Sequence, residues 1–583
     1  MKIKKKITRF VILYTLIGVF FVAVFAKLFY LQVICHGASD KKIISQLSLS
    51  SKISAPRGKI YDRNNVVLAG NREGYIIVIK KNQDELVALT VKNLAKLTDV
   101  SYEDILYTMR EAQFSYSNPF VFSEDADASL VTKIKESPEK YPCAEILTQP
   151  IRRYFYPESL VHILGRCGII SREEYENSTG YSYNDYIGKQ GVEKTFESVL
   201  RGKDGLRAKE KYTDRGMKKF FEEVDAIPGS DVILTIDLPL QQKTEEALKN
   251  IVSNTYGARG GAFVITDINS GEILASASNP SYNITEFNKD YTALSKDSDK
   301  PFFNRCTSGL YEPGSTFKMI TAIAAMESNN LSPEETIKTR GKYEYFDQTF
   351  RCNIYRETGK THGTIDVSRA LGVSCNYFFY ELGKRTGIEK IAEFASLFGL
   401  DKPTGIEIKE EATGTIATPE NRKNRGGIWY GGDALQASIG QSDNLFTPLA
   451  LTNYVAALGN GGKLYSAHIL KGIKDTDGNV SYKAPQVLRT INLKQGTFDA
   501  IKKGMLDVTK NGTAKDVFGA FSIKVAGKTG TSQVSGRTNG LFLGYAPAEN
   551  PEIAFCVVIE GGGTGNAAAK CAKNVLSYYF NVE

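Results

Sequence analysis

Histidine is scarce in this chain. Only four occur in 583 residues, at 36, 162, 362 and 468. A Ser–His–Asp triad would need one of them beside a nucleophile, and nothing in the sequence argues for that. Cysteine pairing motifs are missing as well. The eight cysteines, at 35, 143, 167, 306, 352, 375, 556 and 571, form no C-x-x-C. Zinc-ribbon and thioredoxin-type readings therefore lack support, and no metal or cofactor is expected. There is one long apolar run and no second, which excludes a polytopic membrane protein.

Acidic residues are absent from the first 34 positions, which hold Lys2, Lys4, Lys5, Lys6, Arg9 and Lys27. The whole chain has 73 basic and 65 acidic residues, a net charge of +8. Without those six, the excess elsewhere is only about two, so the basic balance is no nucleic-acid footprint. What remains is ordinary globular composition, 42% hydrophobic and 24% charged. The length allows two to four domains at roughly 100–200 residues each.

The apolar run covers residues 10–26, is interrupted by Lys27, and resumes over 28–34. As a helix, 10–34 would be about 37 Å long, against about 30 Å of hydrocarbon. It spans if Lys27 snorkels. No small-x-small site follows it, which favours an uncleaved anchor over a signal peptide. The basic cluster before it places the N-terminus in the cytoplasm and everything past about residue 35 outside. The expected organisation is a cytoplasmic tail 1–9, a transmembrane anchor 10–34, a mixed α+β region 35–230 and a second domain 231–583. Pro228-Gly229-Ser230 punctuates the chain at that boundary.

Beyond 230, runs at 261–268 and 272–278 flank Asn269-Ser270-Gly271 and read as a hairpin. Runs at 521–526, 540–545 and 552–560 read as three more strands, and 567–580 as a helix. The stretch 315–515 is expected to be mostly helical. Strands at both ends with helices between suggest an α/β domain whose first and last strands share one sheet.

Three short patterns carry chemistry. S-x-x-K sets a hydroxyl and an amine on one helix face, which suits a nucleophile and its base. It occurs at Ser39/Lys42, Ser137/Lys140 and Ser315/Lys318. Only the third has context: Glu312-Pro313-Gly314 is a turn, and an apolar helix comes next. Backbone N–H groups at such a helix start favour developing negative charge. K-T-G occurs once, at Lys528-Thr529-Gly530, within what reads as an apolar strand ending in small polar residues. Gly530 would let a substrate backbone pair with the strand edge. A nucleotide loop fails here, because the spaced glycine would fall at Ser522. S-x-N starts at 182, 281, 328, 374 and 442. Ser374-Cys375-Asn376 is preferred: it lies between helical pieces, with Asp366 a cap for the first, 59 residues after Ser315. Ser442-Asp443-Asn444 sits in a loop feeding another helix.

This ordered trio, in an anchored chain, resembles the penicillin-binding proteins. Arg57-Gly58-Lys59-Ile60-Tyr61-Asp62-Arg63, residues 188–193, Leu234-Thr235-Ile236-Asp237, Asn279-Pro280-Ser281-Tyr282, Gly440-Gln441 and Thr447-Pro448 all look like class B members. The resemblance implies a serine β-lactamase/penicillin-binding-protein-like α/β domain, mainly an antiparallel sheet flanked by helices, on a non-catalytic α+β pedestal with one transmembrane helix. It implies a D,D-transpeptidase in the cell membrane, acting outside the cytoplasm. Ser315 would attack the D-Ala-D-Ala bond of a peptidoglycan stem peptide. Lys318 would be its base, its pKa lowered by burial and by Lys528. Ser374 would relay a proton, and Asn376 would hold a substrate amide. Lys528 would hold Ser374 and the substrate carboxylate, which Thr529 and Thr531 bind. The backbone N–H groups of Ser315 and Thr531 would form the oxyanion hole. β-Lactams would acylate Ser315, and a SEDS-type glycan polymerase would be the membrane partner. Cys375 is expected to point away from its two neighbours as a small hydrophobe, and His362 to be structural. The rivals are a membrane-anchored β-lactamase, for which Glu420–Asn424 gives only a faint E-x-x-x-N, and a non-catalytic β-lactam-binding scaffold or sensor.

Overall fold

The computed structural model describes residues 15, 17–27, 29, 51–98, 100–112, 114–116, 119–182, 185–207, 223–534 and 536–582. The basic cluster 2–9, much of the expected anchor, Cys35, His36 and the Ser39/Lys42 match lie outside them. Residues 17–27 are helical, and every one is exposed. No helix among the described residues is long and apolar enough to cross a membrane.

The chain divides into two compact units, Met1–Pro56 with Gly202–Pro228, and Arg57–Arg201 with Gly229–Glu583. In the smaller unit, strands Ser51–Ile53, Gly205–Arg207 and Glu223–Val224 form an antiparallel sheet.

In the larger unit, a five-stranded antiparallel sheet runs in the order Ile273–Asn279, Gly260–Asp267, Ile553–Glu560, Arg537–Ala546, Ala526–Val534. First and last strands meet at its centre, where Val264 pairs with Cys556. Alternate side chains go to opposite faces, as a strand's period of two requires. Ala262, Val264, Leu541, Leu543 and Val558 enter one core. Phe263, Ile265, Phe542, Phe555 and Val557 enter the other. Helices Leu238–Asn254 and Gly565–Tyr579 cover the second face. Helices Lys318–Glu327 and Pro448–Gly459 fill the first. Lys318 through Met326 are all buried, as a helix apolar on every side must be.

Two expectations differ from what is seen. The strand bearing Lys528 begins at Ala526, so 521–525 is not strand; Phe521 instead turns back to stack edgewise on Phe518, 5.8 Å away. The stretch 315–515 is not only helical. It contributes strands Leu470–Lys474 and Val480–Tyr482 to a second, seven-stranded sheet. There Asp231–Leu234 runs antiparallel to Leu470–Lys474 and parallel to Ile60–Tyr61. Backbone from both sides of residue 230 therefore meets in one sheet.

Beneath that sheet lies a buried ion cluster. Glu193 Oε2 accepts from Arg57 Nε at 2.6 Å, and Glu193 Oε1 from Arg152 Nε at 2.7 Å. Arg57 Nη2 also reaches Glu197, at 2.7 Å. Burial alone would raise the Glu193 carboxyl, but Arg152 and Arg57 outweigh it and hold it at about 2.

Candidate active site

The turn Glu312-Pro313-Gly314 enters a short 3₁₀ segment, Gly314–Phe317, which runs straight into the helix Lys318–Glu327. Gly314 has φ +52°, and a β-carbon there would lie 2.4 Å from the Thr531 carbonyl oxygen. A β-carbon on Gly530 would lie 2.8 Å from the Pro313 carbonyl oxygen. Glycine at both positions lets the turn and the strand pack backbone on backbone. That brings Ser315 beside Thr531.

Ser374 follows the helix Val367–Gly372, capped by Asp366 accepting from the Arg369 N–H at 2.7 Å. Ser374 is left-handed, φ +54°, a strained conformation for a residue with a β-carbon. Its own N–H donates to Leu371 O at 3.2 Å, and that of Cys375 to Ala370 O at 2.9 Å. Helix Asn376–Thr386 then begins.

The outcome is a knot of four polar side chains. Lys318 Nζ donates to Ser374 O at 3.0 Å, Ser374 Oγ at 3.2 Å and Asn376 Oδ1 at 2.5 Å. Lys528 Nζ donates to Ser374 Oγ at 3.1 Å and to Thr529 O at 3.0 Å. Both lysines are fully buried without a carboxylate partner among the described residues. Burial pushes Lys318 down to about 8. Burial, and then the charge of Lys318, hold Lys528 well below the usual range. The like-charge effect thus falls on Lys528, where the sequence reading assigned it to Lys318.

Above the knot is a cavity of about 420 Å³ lined by Ser315, Ser374, Asn376, Thr529 and Thr531, among others. Thr529, Thr531 and Gln533 line it at every second position of Ala526–Val534, an edge strand whose only sheet neighbour among the described residues is Arg537–Ala546. The candidates Ser315, Lys318, Ser374, Asn376, Lys528, Thr529, Gly530 and Thr531 therefore come together. The Ser315 hydroxyl makes no hydrogen bond among the described residues; the Lys318 amine is engaged by Ser374 and Asn376. No histidine among the described residues lines the cavity. Ser137 precedes and Lys140 ends the 3₁₀ turn Pro138–Lys140, and neither lines the cavity. Asn444 is spent on Ala417, Ala437 and Gln441, and Glu420 is exposed on the short helix Pro419–Asn424.

Sequence reasoning missed three features. Thr513 Oγ1 lies 2.6 Å from Thr529 Oγ1 and so already holds that hydroxyl. Gln436 lines the cavity with a buried Oε1 that has no hydrogen-bond partner among the described residues. Cys375 does turn away from its neighbours, but toward a group: its Sγ is 3.9 Å from Cys352 Sγ, which is 3.8 Å from His362 Nδ1. Two thiols and an imidazole are a donor set that suits zinc, and this is the group among the described residues that could hold a metal. C-x-x-C spacing does not reveal it, since the donors come from three separate segments.

A serine at the start of a buried helix, two amines sharing one hydroxyl and an open sheet edge define a serine acyl-transferase of the penicillin-recognising kind. The comparisons agree. Residues 261–577 match the penicillin binding protein transpeptidase domain, and 52–234 the penicillin-binding protein dimerisation domain. The peptidoglycan D,D-transpeptidase MrdA of Acinetobacter baumannii is 30% identical over 567 residues, 93% of this chain and 82% of that protein. The crystal structure of Pseudomonas aeruginosa PBP2 in complex with WCK 5153 has a TM-score of 0.69 and 29% identity, covering 91% of this chain and 96% of that one. A chain from a peptidoglycan synthase complex that coordinates polymerization and crosslinking has a TM-score of 0.71 and 26% identity, covering 98% of each.

The chain belongs to the class B penicillin-binding proteins. It is a serine-type peptidoglycan D,D-transpeptidase.

Proposed function

We propose that Ser315 is the nucleophile of this transpeptidation and that Lys318, Ser374 and Lys528 move its protons. The observation that carries the reading is the meeting of two buried amines on the Ser374 hydroxyl, directly under the cavity that Ser315 lines. Two ammonium groups cannot both donate comfortably to one oxygen in a buried site. When one is neutral, the Ser374 O–H donates to it and accepts from the other, which makes a proton path.

In the first step, Ser315 Oγ attacks the carbonyl carbon between the two terminal D-alanines, and its proton passes to the neutral Lys318 amine. The hydrogen bond this needs forms when substrate arrives, as such bonds tighten in the bound complex. The oxyanion takes the N–H groups of Ser315 and Thr531, which the close packing of Gly314 on Thr531 favours. The C–N bond then breaks, and the departing D-alanine amine receives a proton through Ser374. An ester on Ser315 remains. An amine of a neighbouring stem peptide attacks it, forming the cross-link and returning the proton. Asn376 holds a substrate amide. Lys528 holds Ser374, and Thr529 and Thr531 bind the terminal carboxylate, while Gly530 keeps the edge low enough for the peptide to pair. β-Lactams react at the same serine.

In this reading 1–9 is a cytoplasmic tail and 10–34 a single transmembrane anchor. Residues 35–230 are the pedestal and 231–583 the extracytoplasmic catalytic domain. The exposed helix at 17–27, apolar except for Lys27, supports the anchor. The likeness to a chain of a peptidoglycan synthase complex supports a membrane-embedded SEDS-type polymerase as partner.

The test is labelling of the purified chain with a fluorescent penicillin, beside Ser315→Ala. A stable one-to-one adduct that the mutant lacks supports the assignment. A label that survives in Ser315→Ala overturns it, and fast loss of label with turnover of drug points to β-lactamase activity.

A further inference from the structure

No residue lining the catalytic cavity is Asp or Glu among the described residues, and the one arginine there is Arg356. It sits on the short helix Asn353–Thr358. The residue just before that helix, Cys352, packs its Sγ 3.9 Å from Cys375, the middle residue of Ser374-Cys375-Asn376. The segment is therefore pinned to the catalytic motif. Asn353 lines the cavity from the same segment, and Tyr380 from one turn beyond Asn376. Tyr380 lies within range of the Arg356 charge.

Arg356 is exposed and has no carboxylate within ion-pair distance among the described residues. The other cations of the site are committed: Lys318 to Ser374 and Asn376, Lys528 to Ser374 and the Thr529 carbonyl. Arg356 thus presents the free donor fork of the cavity. A guanidinium in that state matches a carboxylate through two parallel hydrogen bonds.

We propose that Arg356 binds a second carboxylate of the donor stem peptide, one N-terminal to its D-Ala-D-Ala end, and selects donors in which that group is free rather than amidated. The inference rests on the assignment of Thr529 and Thr531 to the terminal carboxylate. A guanidinium on a different segment then meets another acidic group. Two stem positions can carry one, the α-carboxyl of an isoglutamyl unit and the carboxyl of a diamino acid. Amidation removes either singly.

The experiment is acylation of Ser315, followed by intact-protein mass spectrometry, for wild type, Arg356→Gln and Arg356→Lys. Four donors are compared: an N-acyl-D-Ala-D-Ala lacking other carboxylates, a pentapeptide with both carboxylates free, and that pentapeptide amidated at each position in turn. Amidation at one position should slow wild type about 10- to 100-fold, and that position names the source. Arg356→Gln should lose the same factor on the free pentapeptide, become indifferent to amidation, and treat the truncated donor as wild type does. Arg356→Lys should recover part of the loss. Full activity of Arg356→Gln on the free pentapeptide overturns the proposal. So does an equal loss on the truncated donor, or a wild type blind to both amidations. Failure of the catalytic reading shows separately, as acylation by the truncated donor surviving in Ser315→Ala.

Discussion

The ion cluster at Glu193 and the lysine pair under the cavity both bury charge, and they treat it in opposite ways. Glu193, Lys318 and Lys528 are each 0% exposed. Around Glu193 the charges are of opposite sign and close, with Arg57 and Arg152 at 2.6 and 2.7 Å, and the carboxyl is held ionised at about 2. In the knot under the cavity the charges are alike, no carboxylate among the described residues compensates them, and burial pushes Lys318 down to about 8. The first arrangement holds Arg57, strand Ala144–Tyr154 and helix Gly191–Thr195 together. The second leaves an amine ready to take a proton. Compensated burial gives architecture; uncompensated burial gives reactivity.

The sharpest way to separate the two is to remove one charge from each. Lys318→Met takes a strained cation out of the core. Acylation by penicillin should fall about 100- to 10,000-fold, while the thermal midpoint stays level or rises. Stopped-flow acylation and calorimetry on one sample test both halves. Glu193→Gln should do the reverse. It leaves the buried Arg152 guanidinium without a carboxylate and Arg57 with Glu197 alone, and should cost about 3–5 kcal/mol of stability, with acylation per folded molecule unchanged. Denaturant titration and active-site counting decide it; a large loss of acylation without loss of stability would merge the two regions.

The pH dependence sharpens the contrast further. A Lys318 amine with a folded value of about 8 should give acylation that falls about tenfold per pH unit below 8 and levels off above it. Its stability effect has a definite sign. The unfolded lysine, near 10.5, holds its proton in a window where the folded one has lost it. Stability from this group therefore rises with pH between about 8 and 10.5, and below 8 the full cost of a buried cation is present. Lys318→Met should lack that rise. The smallest effect is at the edge strand. Thr513→Val removes the partner of Thr529 and should weaken donor binding by about 1 kcal/mol, roughly fivefold in KM with little change in kcat.

The two regions were also unequally legible from sequence. The residues gathered at the cavity announce themselves by short spacings, Ser315 to Lys318 on one helix start and Lys528 to Gly530 on one strand. Even Ser374 could be chosen over Ser442 from its place between helical pieces. The ion cluster joins residues 136 and 41 positions apart, and its two motifs showed no chemistry when read one at a time. The same distance hid Cys352, His362 and Cys375, and the Thr513–Thr529 pair. The core strands were readable because strands buried on both faces are continuous apolar runs bounded by turn residues. The start of the Lys528 strand was not, because Phe521 is apolar in a turn that packs on Phe518. Local periodicity carries local structure; contacts made across the sheet leave no spacing to read.

The central claim is that uncompensated burial keeps the Lys318 amine poised near neutrality. The direct measurement is an NMR titration of its ε-methylene carbon in selectively labelled protein, assigned with Lys318→Met. A midpoint close to 8 is the predicted result. A midpoint near 10.5, the value of a lysine in water, would contradict it.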